Sequence, residues 1–340
     1  MKHKSFFWFV LPSSIAMLLF IFFPILSVLL QSVFTEHEQV IKEVRNCGPF
    51  GCQTTTSIDQ EATAALREAE PLGRFVGLGV YFDRGHLALS EVSQLWRESA
   101  GLGAFFDRLL NLPFYKAIAF TLTYTFVVTP LTIVLGFVIA VAVNSAARAI
   151  RGPLIFVSLL PFIITPLVGS LVLFWMLDAR GIIGSAMQVL ADDPDLSVKA
   201  STPLMWTMLM VYGVWHSAPF AFIVYYAGLQ TVNQDTLEAA MVDGASRWER
   251  IRYVVIPHLL PITTFIALIQ LMDNFRVFEP IVSFSAQAHA TSLSWAIYND
   301  LSGETRQLSS AAATSFLTII GVAILLSPVI VRTYRDFTRK

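Results

Sequence analysis

Only 14% of this 340-residue chain is charged and 55% is hydrophobic, whereas an ordinary soluble protein carries about 25% charged residues. A mean hydropathy of +0.63 and 27 phenylalanines leave too little polar surface to cover a water-soluble globule. The net charge of −1 offers no electrostatic footprint for nucleic acid, and two cysteines can build neither a disulfide framework nor a four-cysteine zinc site.

A hydrocarbon core about 30 Å thick needs about 20 apolar helical residues. Six stretches free of Asp, Glu, Lys and Arg meet that need: Ser5–Thr35, Ala117–Ala147, Gly152–Leu177, Ala200–Gln234, Tyr253–Met272 and Gln307–Val331. The expected fold is therefore all-α, an integral membrane protein of six transmembrane helices. A seventh uncharged stretch, Pro280–Asn299, carries Ser283, Ser285, Gln287, His289, Thr291 and Ser294, and reads as a loop that dips into the membrane. Lys2 and Lys4 precede the first stretch as they would in a signal peptide. That run is too long for a typical h-region and no small-x-small cleavage site follows it, so a permanent helix is expected.

With the N-terminus in the cytoplasm, the inside segments hold Lys2, Lys4, Arg148, Arg151, Arg247, Arg250, Arg252, Arg332, Arg335, Arg339 and Lys340. The short outside loops hold Arg180, Lys199 and Arg306. The excess of basic residues inside puts both termini in the cytoplasm.

Residues 36–115 are then a large insertion on the outer face. Ile58–Glu70 has helical composition, and Glu91–Leu110 sets Leu95, Leu102, Phe105, Phe106 and Leu109 among charges, so a small helical cap or a segment packed on the membrane surface is expected. Cys47 and Cys52 lie here in Cys-Gly-Pro-Phe-Gly-Cys. An oxidising compartment would let them close a disulfide across the turn, the alternative being two unpaired thiols.

Between the fourth and fifth stretches the chain turns polar, reading Gly228-Leu-Gln-Thr-Val-Asn-Gln-Asp-Thr-Leu-Glu-Ala-Ala-Met-Val-Asp-Gly-Ala-Ser-Arg-Trp-Glu-Arg-Ile-Arg-Tyr-Val-Val-Ile-Pro257. Local rules make two short helices joined at Gly244. Asp235 with Glu238 forms one candidate capping box, Ser246 with Glu249 a second, and Pro257 punctuates the end of the second helix. Trp248, Ile251 and Val255 give that helix an apolar face. Such a compact unit suits docking into a partner's groove.

The stretch resembles the "EAA" coupling loop of permease subunits in bacterial ABC importers, through Glu238, Ala239, Ala240, Asp243, Gly244, Ala245, Ile256 and Pro257. Phe275-Arg-Val-Phe278, Thr291 and Ala296-Ile-Tyr298 are similar to the carbohydrate-uptake branch typified by the maltose permeases, although Ala286-Gln-Ala288 stands where many sugar permeases carry Gly-Gly-Pro. The resemblance covers roughly residues 115–335. Together with the spans and topology above, it gives four segments: 1–35 (tail and first span), 36–115 (external cap), 116–335 (core permease, with the coupling loop at 230–257) and 336–340 (cytoplasmic tail). It also implies a place in the bacterial inner membrane, a second permease subunit, two ATPase subunits that carry ATP and Mg, and a periplasmic or extracellular solute-binding protein. Glu238 and Gly244 would transmit nucleotide-driven closure to the membrane helices.

A sugar pocket needs hydrogen-bonding groups beside aromatic or apolar faces. Gln270, Asp273, Asn274 and Val277 fall at i, i+3, i+4 and i+7, and Gly213, Ser217 and Phe220 share a face of the preceding span, with Trp215 and His216 nearby. These are the substrate-pathway candidates, Asn274 foremost. Asp273 and Arg276 read either as an i, i+3 ion pair, with Glu279 as a further partner, or as substrate contacts; His216 reads as a helix–helix hydrogen bond or a ligand. No Gly-x-x-x-x-Gly-Lys-Ser/Thr, no metal-ligand cluster and no nucleophile elbow occurs, so neither a cofactor bound by this chain nor catalysis by it is expected. Other cargoes (a polyamine, phosphate or a glycerol phosphodiester) stay open, as does an ion-coupled secondary transporter using Asp273.

Overall fold

The computed structural model describes residues 2–37, 40–48, 51–70, 73–303 and 306–338. Five of its helices are long and apolar enough to cross a membrane: Phe6–Gln31, Pro113–Ser145, Thr202–Leu229, Arg247–Phe275 and Leu308–Arg332. The stretch expected to make the third span is instead two helices, Arg148–Ile163 and Pro166–Met176, bent by 91°. Pro166 causes the break. Its ring disfavours a helical conformation at the residue before it, and Ile164 and Thr165 are extended, with ψ of 126° and 143°.

Other prolines leave their helices unbroken, two of them beside a π turn. Pro24 and Pro257 each follow a π-helical turn, Leu18–Phe22 and Ile251–Val255, in which the N–H of Phe23 bonds Leu18 O and that of Ile256 bonds Ile251 O. The wider i→i+5 turn opens the ladder where a proline ring would crowd the carbonyl four residues back. Pro257 therefore does not end the second loop helix, which runs on to Phe275.

The chain divides into two compact units, Met1–Tyr115 with Ala296–Ile319, and Lys116–Trp295 with Ile320–Lys340. The first unit is not purely helical. Strands Ile41–Gly48 and Gly51–Ile58 form an antiparallel hairpin, and Phe34–Thr35 pairs with Arg74–Phe75. The β-branched run Thr54-Thr55-Thr56, ending at Ile58, favours extended backbone over helix. Cys47 and Cys52 face each other across the hairpin, but their side chains, and so the expected bond, lie outside the described residues. Helix Gln60–Ala69 begins at Asp59, whose carboxylate accepts from Ala62 N–H at 3.1 Å. The expected helical stretch 91–110 is split at Ser99–Gly101 into Leu89–Glu98 and Leu102–Leu109. A small core joins Val80 and Tyr81 to Ala313, and the Tyr81 hydroxyl donates to Ser32 Oγ at 2.6 Å.

In the second unit, Phe120, Tyr124, Val128, Leu209, Tyr212 and Ile281 centre one core cluster, and Phe222, Tyr225, Leu259 and Ile266 another. Helices Pro113–Ser145 and Thr202–Leu229 approach so closely that a methyl on Gly136 would lie 2.8 Å from the backbone nitrogen of Phe222, a small-residue contact typical of membrane helices. The polar stretch after Pro280 is a packed segment: Glu279–Ser283, a turn at Ala286–Ala288 and helix Leu293–Ser302, with Ile281, Phe284, Ala286 and Leu293 buried. Part of its polarity is met by hydrogen bonds, while Ser283 Oγ and Thr291 Oγ1 are buried without a partner among the described residues. Ser292 Oγ donates to Val277 O at 2.6 Å and accepts from Trp295 N–H, and the His289 ring contacts Thr202 Oγ1 at 2.8 Å. Lys199 pairs with Asp178 at 2.8 Å while lying over the Phe174 ring, and its hydrogen bond holds the Asp178 carboxyl below the ordinary carboxylate range.

Ser285 adopts φ 49° and ψ 38°, a left-handed conformation that costs a residue with a Cβ about 1–2 kcal/mol. Ser285→Gly should therefore raise the thermal unfolding midpoint in detergent. An unchanged or lowered midpoint would show that no strain is stored there.

Candidate functional site

Two features are candidates for function. The first is the polar loop. Helix Gln234–Val242 is capped not by Asp235 but by Asn233, whose side chain accepts from Asp235 N–H at 2.9 Å. The start of the helix falls two residues earlier because Asn233 already has the extended backbone of a cap, φ −65° and ψ 124°. Its end is a Schellman closure: Gly244 N–H bonds Met241 O at 3.1 Å and Ala245 N–H bonds Ala240 O at 2.9 Å. That geometry requires the left-handed backbone Gly244 supplies, with φ +80°. Ser246 and Glu249 then form a capping box that opens the next helix. Glu238, Ala239 and Asp243 are exposed, as are Met241, Trp248 and above all Val242 at 88%. Met241, Val242 and Trp248 thus leave apolar surface bare at the elbow between the two helices.

The second feature is a cavity of about 560 Å³ inside the second unit. Gly213, Ser217, Phe220, Gln270, Asp273, Asn274 and Val277 all line it, together with His216 and Arg276; Trp215 does not. Val277 reaches the wall by another route than the helical face expected of it, because helix Ile256–Phe275 ends two residues earlier and a turn carries the chain on. Asn274 is only 5% exposed. Its Nδ2 donates to Thr129 Oγ1 at 3.0 Å and to Gln270 Oε1 at 3.4 Å, so its carbonyl oxygen is the group left for a ligand. Arg276 Nη2 donates to Asp273 Oδ1 at 2.9 Å, and this exposed pair is worth at most about 1 kcal/mol. His216 stacks between Tyr212, at 5.8 Å, and Phe162, at 6.5 Å. The ring is hydrogen-bonded to the backbone of Pro161 on the neighbouring helix, and its buried Nδ1 has no partner among the described residues.

Sequence reasoning missed Tyr124, Phe162, Pro166 and Tyr212 on the wall, and took Glu279 only as a partner for the Asp273–Arg276 pair. Tyr212 carried a weak signal beside Gly213. Tyr124 carried none, since only packing brings it against that glycine, where an added methyl would overlap its hydroxyl. The Tyr212 hydroxyl donates to Pro166 O at 2.7 Å, tying the long helix to the break in the bent pair. A wall that mixes aromatic rings with amide, hydroxyl and carboxylate groups can hold an uncharged polyol. Among the described residues no group of three or more His, Cys, Asp or Glu is placed to hold a metal ion.

Helices that cross a membrane around a polar cavity, with an exposed helical elbow between two of them, define a membrane permease. Residues 133–336 match the family model described as the binding-protein-dependent transport system inner membrane component, and the chain belongs to that family. It is 29% identical over 241 residues to a probable ABC transporter permease protein of Sinorhizobium fredii, covering 69% of this chain and 76% of that one. It is 27% identical over 183 residues to the trehalose/maltose transport system permease protein of Thermococcus litoralis, covering 53% of this chain and 61% of the relative. The fold is similar to that in the crystal structure of a bacterial ABC transporter involved in the import of the acidic polysaccharide alginate. The TM-score there is 0.60 and the identity 19%, over 81% of this chain and 96% of the other.

Proposed function

We propose that this chain forms one half of the membrane pathway of an ATP-driven importer for a neutral sugar or oligosaccharide. The observation that carries the proposal is the elbow at Gly244: two capped helices with Val242, Met241 and Trp248 exposed, inside the segment that matches the permease family. The elbow docks on a partner ATPase, and Glu238 faces that partner. ATP and Mg are bound and hydrolysed by two such ATPases, and this chain is non-catalytic. A second, different permease subunit completes the pathway, and a solute-binding protein delivers cargo on the outer side. Basic residues around the elbow and at Arg148 and Arg151 support its cytoplasmic placement in the inner membrane, with both termini on the same side.

The sugar assignment is supported by the ring-and-amide lining of the cavity and by the trehalose/maltose relative. Asp273 and Arg276 largely cancel each other, leaving Glu279 as a carboxylate on the wall, so a polyamine is the rival cargo to test against. The chain, purified with its partners from native membranes and reconstituted in vesicles, should take up radiolabelled trehalose or maltose only when ATP is supplied. Uptake of putrescine alone, or sugar uptake without ATP, would overturn the proposal.

A further inference from the structure

The first unit leaves a set of large apolar side chains uncovered, and they are not scattered. Phe75 is 68% exposed and Leu78 is also bare. Phe75 is held at the foot of the first span, because Phe34–Thr35 pairs with Arg74–Phe75 just past Gln31, and Val76 and Gly77 N–H both bond Val33 O at 3.0 Å. The second group sits at the head of the next span. Helix Leu102–Leu109 carries Leu102, 65% exposed, and Phe106, 54% exposed, on one face with Leu109. Hydrogen bonds from Asn111 N–H to Arg108 O and from Leu112 N–H to Leu109 O then turn the chain into Pro113, where that span begins. Trp96, 60% exposed, belongs to the same patch, since its ring meets Phe105 at 5.1 Å and Phe105 meets Phe106 at 5.5 Å. A further link at 3.8 Å between Arg108 and Glu98 ties the two short helices together.

Both groups therefore stand within a few residues of the points where the chain leaves and re-enters the bilayer. Bare phenylalanine, leucine and tryptophan at that depth fit the headgroup boundary, where aromatic rings collect and short helices lie with one apolar face buried. We infer that the segment Arg74–Leu110 is an interfacial anchor: Phe75, Leu78, Trp96, Leu102 and Phe106 insert into the lipid headgroup region between the first two spans. Continuity with the lipid-facing spans selects lipid over a protein as the occupant. The first span, Phe6–Gln31, buries none of its most apolar window in the chain, so the patch continues a bare apolar surface of the length and composition that lipid covers.

The inference rests on the spans and the cap alone, and it stands or falls independently of cargo and of ATP coupling. To test it, a diazirine-bearing phenylalanine is placed singly at Phe75, Trp96 or Phe106, and at Asp107 as a control, in the full chain with its partners. The assembly is reconstituted in vesicles of phosphatidylethanolamine and phosphatidylglycerol, irradiated, and the adducts are identified by mass spectrometry. Phospholipid adducts several-fold more abundant at the three aromatic positions than at Asp107 are expected. Adducts with a partner subunit in place of lipid, or with water alone, would overturn the anchor and assign the patch to a protein interface or to solvent. Because the replacements at Phe75 and Phe106 keep an aromatic ring on an exposed site, a folding failure should not obscure the outcome.

Discussion

Gly244→Val should abolish ATP-dependent uptake while the chain remains in the membrane at normal abundance. Gly244 sits at φ +80° with nothing within 4 Å of the position a Cβ would take, so the substitution meets no steric obstacle from neighbours. Its whole cost is in the backbone, about 1–2 kcal/mol for the left-handed region and more for a β-branched side chain. Relaxing that strain breaks the bonds from Gly244 to Met241 O and from Ala245 to Ala240 O, which fix the angle between the two loop helices. The second of them is continuous to Phe275 through the π turn, so its direction is coupled to the helix that carries Gln270, Asp273 and Asn274. Gly244→Asn, which tolerates positive φ, should keep a substantial part of the activity. Glu238→Ala, exposed and outside any described ion pair, should lose uptake without loss of stability. Normal uptake by Gly244→Val would remove the elbow from the coupling mechanism.

What the sequence made legible, and what it hid, follows from the range of each interaction. Span positions came from runs of apolar residues, and the Ser246–Glu249 box from a spacing of three, because both are local. The cavity's amide wall was legible for the same reason: a helix brings residues three and four apart onto one face, as with Gln270, Asp273 and Asn274. Prolines were read less well. Pro166 breaks its span, whereas Pro24 and Pro257 are accommodated by π turns, and nothing in the neighbouring residue types separates those outcomes. The hairpin at 41–58 escaped because its polar Thr-rich strand has no alternating apolar face. Tyr124 escaped because its role rests on a contact with a residue almost ninety positions later, which no periodicity within one helix can display.

That contact yields the second large effect. Gly213 lets helix Thr202–Leu229 lie against the buried Tyr124 ring; a methyl at Gly213 would overlap the Tyr124 hydroxyl and come within 2.8 Å of Cζ. Tyr124 is 3% exposed, so it has little room to swing aside. Gly213→Ala should thus destabilise the second unit by roughly 1–3 kcal/mol, the usual range for overpacking, and lower the unfolding midpoint in detergent. If the tyrosine tip is the obstacle, Gly213→Ala should cost little when added to Tyr124→Leu, because the shorter side chain vacates the space. Neighbouring sites typically couple by about 0.5–3 kcal/mol in such cycles. Losses that merely add would show that the two residues do not meet. Gly213→Leu on the Tyr124→Leu background should still block transport, since its longer side chain adds bulk to the wall of a cavity whose volume is only about 560 Å³.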